Sequence, residues 1–421
     1  MIIIINKVEV FTHERTFMSR QSIHLTVAAL VAASLTLAGC AGAPAAPEAV
    51  DSSSSGPVEV DSPQPRIAVL HDEQVLVLDA ETLETIADIP TPGATRVAAA
   101  GDGRHVMLTT ESGFSMLDGG AWTDGHGDHG HSYTAEPTLT DASFPMSHPG
   151  HVVAHAGTTA LFSDDDGTVT LVDTDSLDEL APEVSEVALA APHHGVAVPL
   201  DDGGLVVTEG TAEGRTSIIQ LDEAGTEVAR TDACPGVHGE SFAAGDQLLF
   251  GCTEAVVVFR DGEFRTIPLP DAGSSAGDVK GSEESTVVLT DYAIGDEAEP
   301  ERIALIDVAT DEVTIVDLPT GYYYWSLARG PDGEALVLGT DGSLYVLDPS
   351  TGEITGSVAV VDAWQAPEDW RDPAPSLIVL GHTAYVTDPA SSRVHAIDLD
   401  TLDVTSVDLD VVPHSASVIR G

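Results

Sequence analysis

Hydrophobic and polar positions alternate with a period of two along most of the chain, and the alternating runs come in pairs. Each pair is separated by a short turn centred on Asp, as in VLVLDAETLETIADI from Val75 and LYVLDPSTGEITGSV from Leu344. Alternation of this kind predicts β-strands with one buried face, and Asp, Gly, Ser and Thr between two such runs predict a hairpin turn. The pattern therefore predicts strands rather than helices.

The hairpin pattern recurs eight times, and other strand pairs with Gly or Asp turns lie between the copies. One copy, FSMLDGGAW from Phe114, is degenerate. The other seven begin at Val75, Thr168, Ser217, Val256, Ile303, Leu344 and Val394. Each repeat supplies about four strands over roughly 40 to 50 residues, which is the blade length of a β-propeller.

We therefore predict an all-β fold, a single β-propeller of eight blades over residues 66–421. Seven blades is the alternative, because the Phe114 copy is poor, and a β-sandwich would not need eight similar units. The repeats begin with RIAVLH and end on an isolated strand, HSASVIR. We expect these N- and C-terminal strands to pair, which would close the ring and remove its exposed sheet edges.

The first 40 residues are expected to be an export signal rather than part of the fold. The apolar run VAALVAASLTLAGC ends in a small-residue cleavage pattern, and Met18, followed by Arg20, is a better signal start than Met1. LAGC has the form of a lipobox, which would place a lipid on Cys40. A plain signal peptidase site is the alternative, and a transmembrane anchor is a weaker one because a span needs about 20 apolar residues.

Composition indicates an exported protein with an acidic surface. Residues 41–65, rich in Ala, Pro and Ser, are expected to form a disordered tether. The chain carries 69 acidic and 16 basic residues, a formal charge of −53. Nucleic acid is therefore excluded as a partner. Such a surface is typical of salty or extracellular settings and would also concentrate divalent cations.

Histidines precede or begin four of the strands predicted to line the propeller channel. They occur in SHPGHVVAH, APHHGVAV, CPGVHGESF and VVPHSASV, whereas other repeats have no His at this position. Neutral imidazole is a common zinc ligand, and three imidazoles with one carboxylate make a tetrahedral set. We predict a zinc site in the channel, with these candidate ligands: His151, His194, His238, Glu240 and, competing for a place, His414.

Cys234 and Cys252 flank the strand pair that carries His238 and Glu240. In an antiparallel pair these two ends lie on the same side, so a disulfide is geometrically possible. A pair of cysteines outside the cytosol favours a disulfide, and two thiolate ligands for zinc is the alternative. The disulfide would hold the His238 loop rigid.

A second candidate metal site is the stretch GHGDHGH, in a glycine-rich segment. Histidine-rich tracts are compositional signals for metal binding, and a solvated polar loop is the alternative. Six of the sixteen histidines of the chain fall between residues 126 and 155. We predict loose binding of a divalent ion here, by His126, Asp128, His129 and His131.

Together, GHGDHGH, PHHGVAV, CPGVHGE with a second Cys in LLFGC, and the terminal PHSASV resemble the AztD family of periplasmic zinc metallochaperones. The resemblance covers residues 66–421. It implies a non-enzymatic, extracytoplasmic protein that holds Zn²⁺ in the channel and passes it to the solute-binding protein of an ABC zinc importer, with the His-rich loop helping capture or transfer. The lipobox is a departure, because it would tether the chaperone to the membrane.

Two other classes of function use the same residues. A surface interaction propeller would carry the histidines incidentally and bind no metal tightly. A propeller hydrolase, such as a lactonase, would use an open coordination position on a channel zinc to activate water. The acidic turn Ser163-Asp-Asp-Asp-Gly167 is more typical of turn chemistry than of a Ca²⁺ site, because the spacing is not that of an EF-hand.

Overall fold

The computed structural model describes residues 56–126, 129–369 and 371–421. The predicted signal and lipobox, including Cys40, and Asp128 of the His-rich stretch lie outside the described residues. Within them, one short 3₁₀ helix, Thr174–Ser176, is the only regular element that is not a β-strand. None of the described helical structure is long and apolar enough to cross a membrane. The described protein is therefore all-β, as the sequence predicts.

Alternating residues form short antiparallel strands along the whole described chain. The strands of the N-terminal half are β1 Val58–Val60, β2 Arg66–His71, β3 Gln74–Asp79, β4 Thr85–Pro90, β5 Arg96–Ala99, β6 His105–Thr110, β7 Gly113–Asp118, β8 Ala121–His126, β9 His129–Thr134, β10 Thr138–Pro145, β11 Pro149–His155, β12 Thr158–Ser163, β13 Thr168–Asp173, β14 Val184–Ala188, β15 Ala197–Pro199, β16 Leu205–Thr211, β17 Gly214–Leu221 and β18 Glu227–Thr231.

The C-terminal half continues the same organisation. Its strands are β19 Glu240–Ala243, β20 Gln247–Gly251, β21 Ala255–Arg260, β22 Glu263–Pro268, β23 Ser274–Ser275, β24 Val279–Ser282, β25 Ser285–Asp291, β26 Ala293–Ile294, β27 Arg302–Asp307, β28 Glu312–Asp317, β29 Tyr322–Arg329, β30 Ala335–Gly339, β31 Ser343–Leu347, β32 Ile354–Ala359, β33 Leu377–Leu380, β34 Thr383–Asp388, β35 Arg393–Asp398, β36 Val404–Asp408 and β37 Ser415–Ile419.

Most of these strands belong to eight four-stranded sheets in the described residues. Their orders are β37-β2-β3-β4 (sheet 1), β5-β6-β7-β10 (sheet 2), β11-β12-β13-β14 (sheet 3), β15-β16-β17-β18 (sheet 4), β19-β20-β21-β22 (sheet 5), β24-β25-β27-β28 (sheet 6), β29-β30-β31-β32 (sheet 7) and β33-β34-β35-β36 (sheet 8). We call the first strand of each order the lead strand. Lead strands of most successive sheets contact one another, as β33 contacts β37 and β37 contacts β5.

The core lies between successive sheets because both faces of the middle strands are buried. On β21, Val257 packs in a cluster shared with sheet 4. Its neighbours Val256 and Val258 pack in a cluster shared with sheet 6. Successive side chains of a strand point to opposite faces, so the continuous apolar run AVVVFR can fill two interfaces at once. Sheet 5 is therefore packed between sheets 4 and 6.

The N- and C-terminal strands share one sheet. Strand β37 pairs antiparallel with β2, with Arg66 opposite Ile419 and Leu70 opposite Ser415. This is the pairing expected from RIAVLH and HSASVIR. Sheet 1 is therefore assembled from the two ends of the described chain.

Seven of the eight predicted hairpins form within one sheet, and the Phe114 copy does not. Strand β7 pairs with β10, and β8 instead pairs with β9 in a separate sheet of order β1-β9-β8. The prediction was wrong here because the segment after Asp118 is an insertion: β8 and β9 form their own hairpin, and the chain returns to sheet 2 only at β10.

Strand β1 lies inside the segment predicted to be a disordered tether. Val58 pairs with Thr134 and Val60 with Ser132 of β9. The tether prediction for residues 41–65 therefore needs correction over Val58–Val60. That prediction rested on side-chain composition. Strand β1 is instead held by backbone pairing with the edge strand β9.

Candidate functional site

Three of the predicted zinc ligands come together where lead strands of sheets 3, 4 and 5 begin. His151 is near the start of β11, His194 precedes β15 and His238 precedes β19. One ring nitrogen of each lies within 4.8 Å of the others. The ring centroids are 5.0 to 5.6 Å apart. We call these three residues the lead-strand cluster.

Hydrogen bonds on the outer ring nitrogens aim two of these rings inward. Asp164 Oδ2 lies 2.7 Å from His194 Nδ1, and the Gly277 carbonyl oxygen lies 3.2 Å from His238 Nδ1. In both contacts the partner is an acceptor oxygen, so Nδ1 carries the proton and donates the hydrogen bond. Nε2 is then free to bind a metal. The Nε2 atoms of His151 and His194 are 3.3 Å apart. Two nitrogens bound tetrahedrally to one zinc would be about 3.3 to 3.4 Å apart.

The other two predicted ligands are placed differently. Glu240 begins β19. Its Oε2 lies 3.9 Å from Nδ1 of His151, whereas Nε2 of His151 is the nitrogen that faces His194. Burial raises the pKa of its carboxyl group to about 8. His414 precedes β37, and its Nε2 lies 2.6 Å from the Arg371 carbonyl oxygen. Neither belongs to the set whose ligand atoms lie within 4.8 Å of one another, so the structure brings together three of the five.

Burial favours the uncharged, metal-binding form of two histidines of the cluster, His151 and His238. Desolvation holds the pKa of His151 well below its ordinary value, and the neighbouring His194 and His238 lower it further. The pKa of His238 is also lowered, first by burial and then by the positive charge of Arg215. A metal therefore competes with few protons at these two rings near neutral pH.

Asp164 is the site residue that sequence reasoning missed. The residue is 8% exposed, and its Oδ1 is buried without a hydrogen-bond partner. A Cβ on Gly150 would lie 2.3 Å from that oxygen, so only glycine leaves room for the carboxylate. The signal was present in the turn Ser163-Asp-Asp-Asp-Gly167, which the sequence indicates only as turn chemistry.

The backbone around His238 is fixed by a disulfide and close packing. Cys234 and Cys252 are bonded, with Cα atoms 5.0 Å apart, as predicted. Both side chains are buried. The His238 N–H donates to the Gly251 carbonyl at 3.1 Å. A Cβ on Gly251 would lie 1.9 Å from the Ala276 carbonyl oxygen, so a larger residue would displace this support.

Charged groups lie beneath the His238 loop, at the start of sheet 6. Lys280 Nζ is 2.8 Å from Asp278 Oδ1. The Asp278 N–H donates to Asp291 Oδ1 at 2.7 Å. Burial raises the pKa of Asp291 to about 7. Through Asp291, the region beside the cluster carries a charge that changes near neutral pH.

The His-rich stretch forms a second group, which we call the hairpin cluster: His126, His129 and His131. Their ring centroids are 4.4 to 5.2 Å apart, and one ring nitrogen of each lies within 4.8 Å of the others. His126 ends β8 while His129 begins β9, so both belong to paired strands. On sequence alone, this glycine-rich segment is instead described as a loop. Glu59 of β1, also missed by sequence reasoning, has Oε1 2.6 Å from His131 Nδ1.

The fold and the two clusters define the class: an all-β protein of repeated four-stranded sheets with two histidine groups of metal-ligand geometry. No protein-family model matches the chain. The chain is 27% identical over 351 residues to the zinc chaperone AztD of Citrobacter koseri, covering 80% of this chain and 81% of that protein. The resemblance to the AztD family is therefore confirmed.

Solved structures share the fold. The crystal structure of Citrobacter koseri AztD superposes with a TM-score of 0.76 at 24% identity, covering 86% of this chain and 99% of that one. A dihydro-heme d1 dehydrogenase, NirN, gives a TM-score of 0.56 at 14% identity, covering 84% of this chain and 74% of that one. At these identities the likeness concerns the fold alone.

Proposed function

We propose that this protein is an extracytoplasmic zinc chaperone. The observation that carries the proposal is the lead-strand cluster, in which His151, His194 and His238 approach one another and hydrogen-bond partners occupy outer nitrogens. Zinc accepts three imidazole ligands and one further donor. The zinc chaperone AztD of Citrobacter koseri, similar over four fifths of this chain, supports zinc as the ion.

Transfer to an acceptor follows from the incomplete ligand set. Three protein ligands leave one tetrahedral position for water or for a donor that arrives from outside. An incoming ligand can therefore bind the zinc before all three histidines have released it. We propose that the acceptor is the solute-binding protein of an ABC zinc importer, the partner that the family resemblance implies.

The eight sheets are proposed to be the blades of one closed propeller, with the lead strands around a central channel. Contacts between successive lead strands and the pairing of β37 with β2 support closure. In this arrangement the three histidines come from three adjacent blades at one channel mouth. The likeness to the AztD crystal structure supports the same arrangement.

The proposed location is outside the cytosol, on a lipid anchor at Cys40. The Cys234–Cys252 disulfide supports an oxidising compartment. The anchor rests on the LAGC motif, which is outside the described residues. A chaperone held in this way would serve an acceptor at the same membrane.

We propose binding and transfer rather than catalysis. A hydrolase would use the open zinc position for water, whereas a chaperone uses it for the acceptor's ligand. The two functions are distinguished by assaying lactone and ester turnover of the zinc-loaded protein beside transfer. Turnover that disappears on zinc removal would favour the hydrolase.

The first experiment measures zinc affinity by chelator competition on the exported chain with Cys40→Ser. His238→Ala removes a cluster residue, and His414→Ala is the matched control, because His414 lies outside the cluster. We expect His238→Ala to lose the tightly held zinc and the transfer to the solute-binding protein, and His414→Ala to keep both. Equal affinity in the two variants would contradict the proposal.

A further inference from the structure

Positive charge acts on the lead-strand cluster, although the chain has only 16 basic residues. The charges of Arg96 and Arg215 both lower the pKa of His151, after the larger effects of burial and of the other two histidines. Arg96 has backbone partners, since its Nη2 donates to the Gly150 carbonyl at 3.1 Å. Positive charge beside a cation site opposes cation binding, so the position of Arg215 calls for a physical reason.

The β16–β17 hairpin holds Arg215 against the loop that carries His238. Arg215 pairs with Gly210 across the hairpin, and the register shifts beside it, so that Thr216 is an extra residue in a β-bulge. Bulges redirect neighbouring side chains and are common next to functional sites. The Arg215 carbonyl accepts from the Gly236 N–H at 3.2 Å, two residues before His238. The backbone of Arg215 is therefore fixed beside the His238 loop.

The same hairpin also supports the loop that carries His194. Thr208 of β16 precedes Gly210, the partner of Arg215, by two residues. The Thr208 carbonyl oxygen lies 3.0 Å from Nε2 of His193, the residue next to His194. Arg215 is therefore held by a hairpin that contacts two of the three histidine loops of the cluster.

The guanidinium of Arg215 has no ion pair or hydrogen bond with the described residues, and its Nε is buried without a partner. Burial lowers the pKa of Arg215, and the negative charge of Asp164 opposes that shift. Asp164, however, already accepts from His194. A guanidinium stays charged even when it is buried, and buried polar groups are normally hydrogen-bonded. The guanidinium of Arg215 is therefore free to bind an anion.

A carboxylate is the ligand that suits both a zinc at the cluster and Arg215. Three histidines leave one position on a tetrahedral zinc, and carboxylate oxygens are among the ligands that zinc accepts. The second oxygen of the same carboxylate can accept from a guanidinium, whose planar donors match it. A neutral donor such as imidazole would leave the positive charges of zinc and Arg215 uncompensated. The charge of Arg215 therefore favours an anionic fourth ligand over a neutral one.

We infer that Arg215 is a specificity residue that selects a carboxylate as the donor completing the zinc site of the lead-strand cluster. This inference rests on the proposed function and adds to it the chemistry of the incoming ligand. The carboxylate can come from an Asp or Glu side chain of the acceptor or from a small dissolved anion. Two measurements separate these sources.

The first measurement compares zinc affinity with and without acetate, at constant ionic strength, for the zinc that His238→Ala loses. Arg260→Gln is the matched control, because Arg260 is exposed and ends β21, away from the His238 loop in sheet 5. For a dissolved carboxylate, we expect acetate to raise the affinity about tenfold in wild type and Arg260→Gln, and less than about twofold in Arg215→Gln. Weak binding of acetate to free zinc is the same in every sample.

The second measurement follows zinc transfer to two chelators that stand in for the acceptor. Nitrilotriacetate offers carboxylate donors, and tris(2-pyridylmethyl)amine offers neutral nitrogen donors. For a carboxylate of the acceptor, we expect Arg215→Gln to lower the ratio of the two transfer rates, nitrilotriacetate over the neutral chelator, by about tenfold. Arg215→Lys should restore part of that ratio, because Lys returns the charge without the planar donors.

The inference and the proposed function fail in different ways. An acetate response and a rate ratio in Arg215→Gln that both equal those of Arg260→Gln would overturn the inference. A wild-type protein that holds no zinc tightly, with or without acetate, would instead contradict the chaperone function. Each readout is a ratio within one variant, so a general change in stability or zinc affinity in Arg215→Gln does not imitate the expected result.

Discussion

At the scale of single residues, both clusters use the same device. A carboxylate takes the outer nitrogen of one histidine, through Asp164 on His194 and Glu59 on His131. The hydrogen bond selects the tautomer, fixes the ring and makes the remaining nitrogen more basic. The two clusters therefore depend on residues that do not themselves belong to the histidine sets.

Asp164→Asn tests this dependence at the lead-strand cluster. The variant keeps the size of the side chain and removes its charge, so we expect zinc affinity to fall by about 10- to 100-fold. Chelator competition measures the change. Asp165→Asn is the neighbouring control, because Asp165 is exposed and lies 3.7 Å from His148, outside the cluster. A similar loss in both variants would mean that the charge of the turn matters and the contact with His194 does not.

Asp291→Asn gives a pH-dependent stability difference. Burial raises the pKa of Asp291 to about 7, so the folded protein holds a proton that the unfolded chain releases near pH 4. Stability from this group is therefore present at low pH and is lost as pH rises from about 4 to 7. We expect the unfolding free energy of the variant, relative to that of wild type, to rise by about 2 to 4 kcal/mol between pH 4 and pH 8. Denaturant unfolding of the two metal-free proteins measures this difference. A difference in unfolding free energy that does not change with pH would contradict the raised pKa of Asp291.

At the scale of elements, the sequence predicts where histidines enter the sheets but not what supports them. Period-two alternation places His151, His194 and His238 at the starts of lead strands because local pattern determines strand position. Asp164 and Glu59 are 30 and 72 residues from the histidines they contact. Sheet register and sheet packing, which the alternation does not specify, create those contacts. The inserted β8–β9 hairpin is missed for the same reason.

The strand pair β19–β20 depends on its disulfide. Cys234 precedes the pair and Cys252 follows it, so the bond closes the segment that contains His238. We expect the double variant Cys234→Ser and Cys252→Ser to lose about 3 kcal/mol of unfolding free energy, measured by denaturant titration. Zinc affinity should fall as well, because the His238 loop loses its support.

A comparison between clusters separates local from global effects of this variant. Zinc at the hairpin cluster should be unaffected in the double variant, because that cluster belongs to another sheet. Loss of zinc from both clusters would indicate general unfolding, in which case the disulfide would have no specific role at His238.

At the scale of the whole molecule, the charge favours capture of cations. With 69 acidic and 16 basic residues, the protein attracts Zn²⁺ over a distance set by salt. We expect the zinc association rate, measured by stopped flow, to fall several-fold between 0.01 and 0.15 M monovalent salt, with the dissociation rate changing little. An association rate independent of salt would show that local geometry alone governs capture.

The pairing of β37 with β2 determines when the protein can finish folding. Ribosomes make β2 before all of the strands that lie between it and β37, and translocation across a membrane would deliver the strands in the same order. Until residues 415–419 emerge, the edge of β2 has no partner and can pair with a foreign strand. Sheet 1 is therefore complete only once residues 415–419 are available, and a chain truncated before residue 415 would keep an open, aggregation-prone edge on β2.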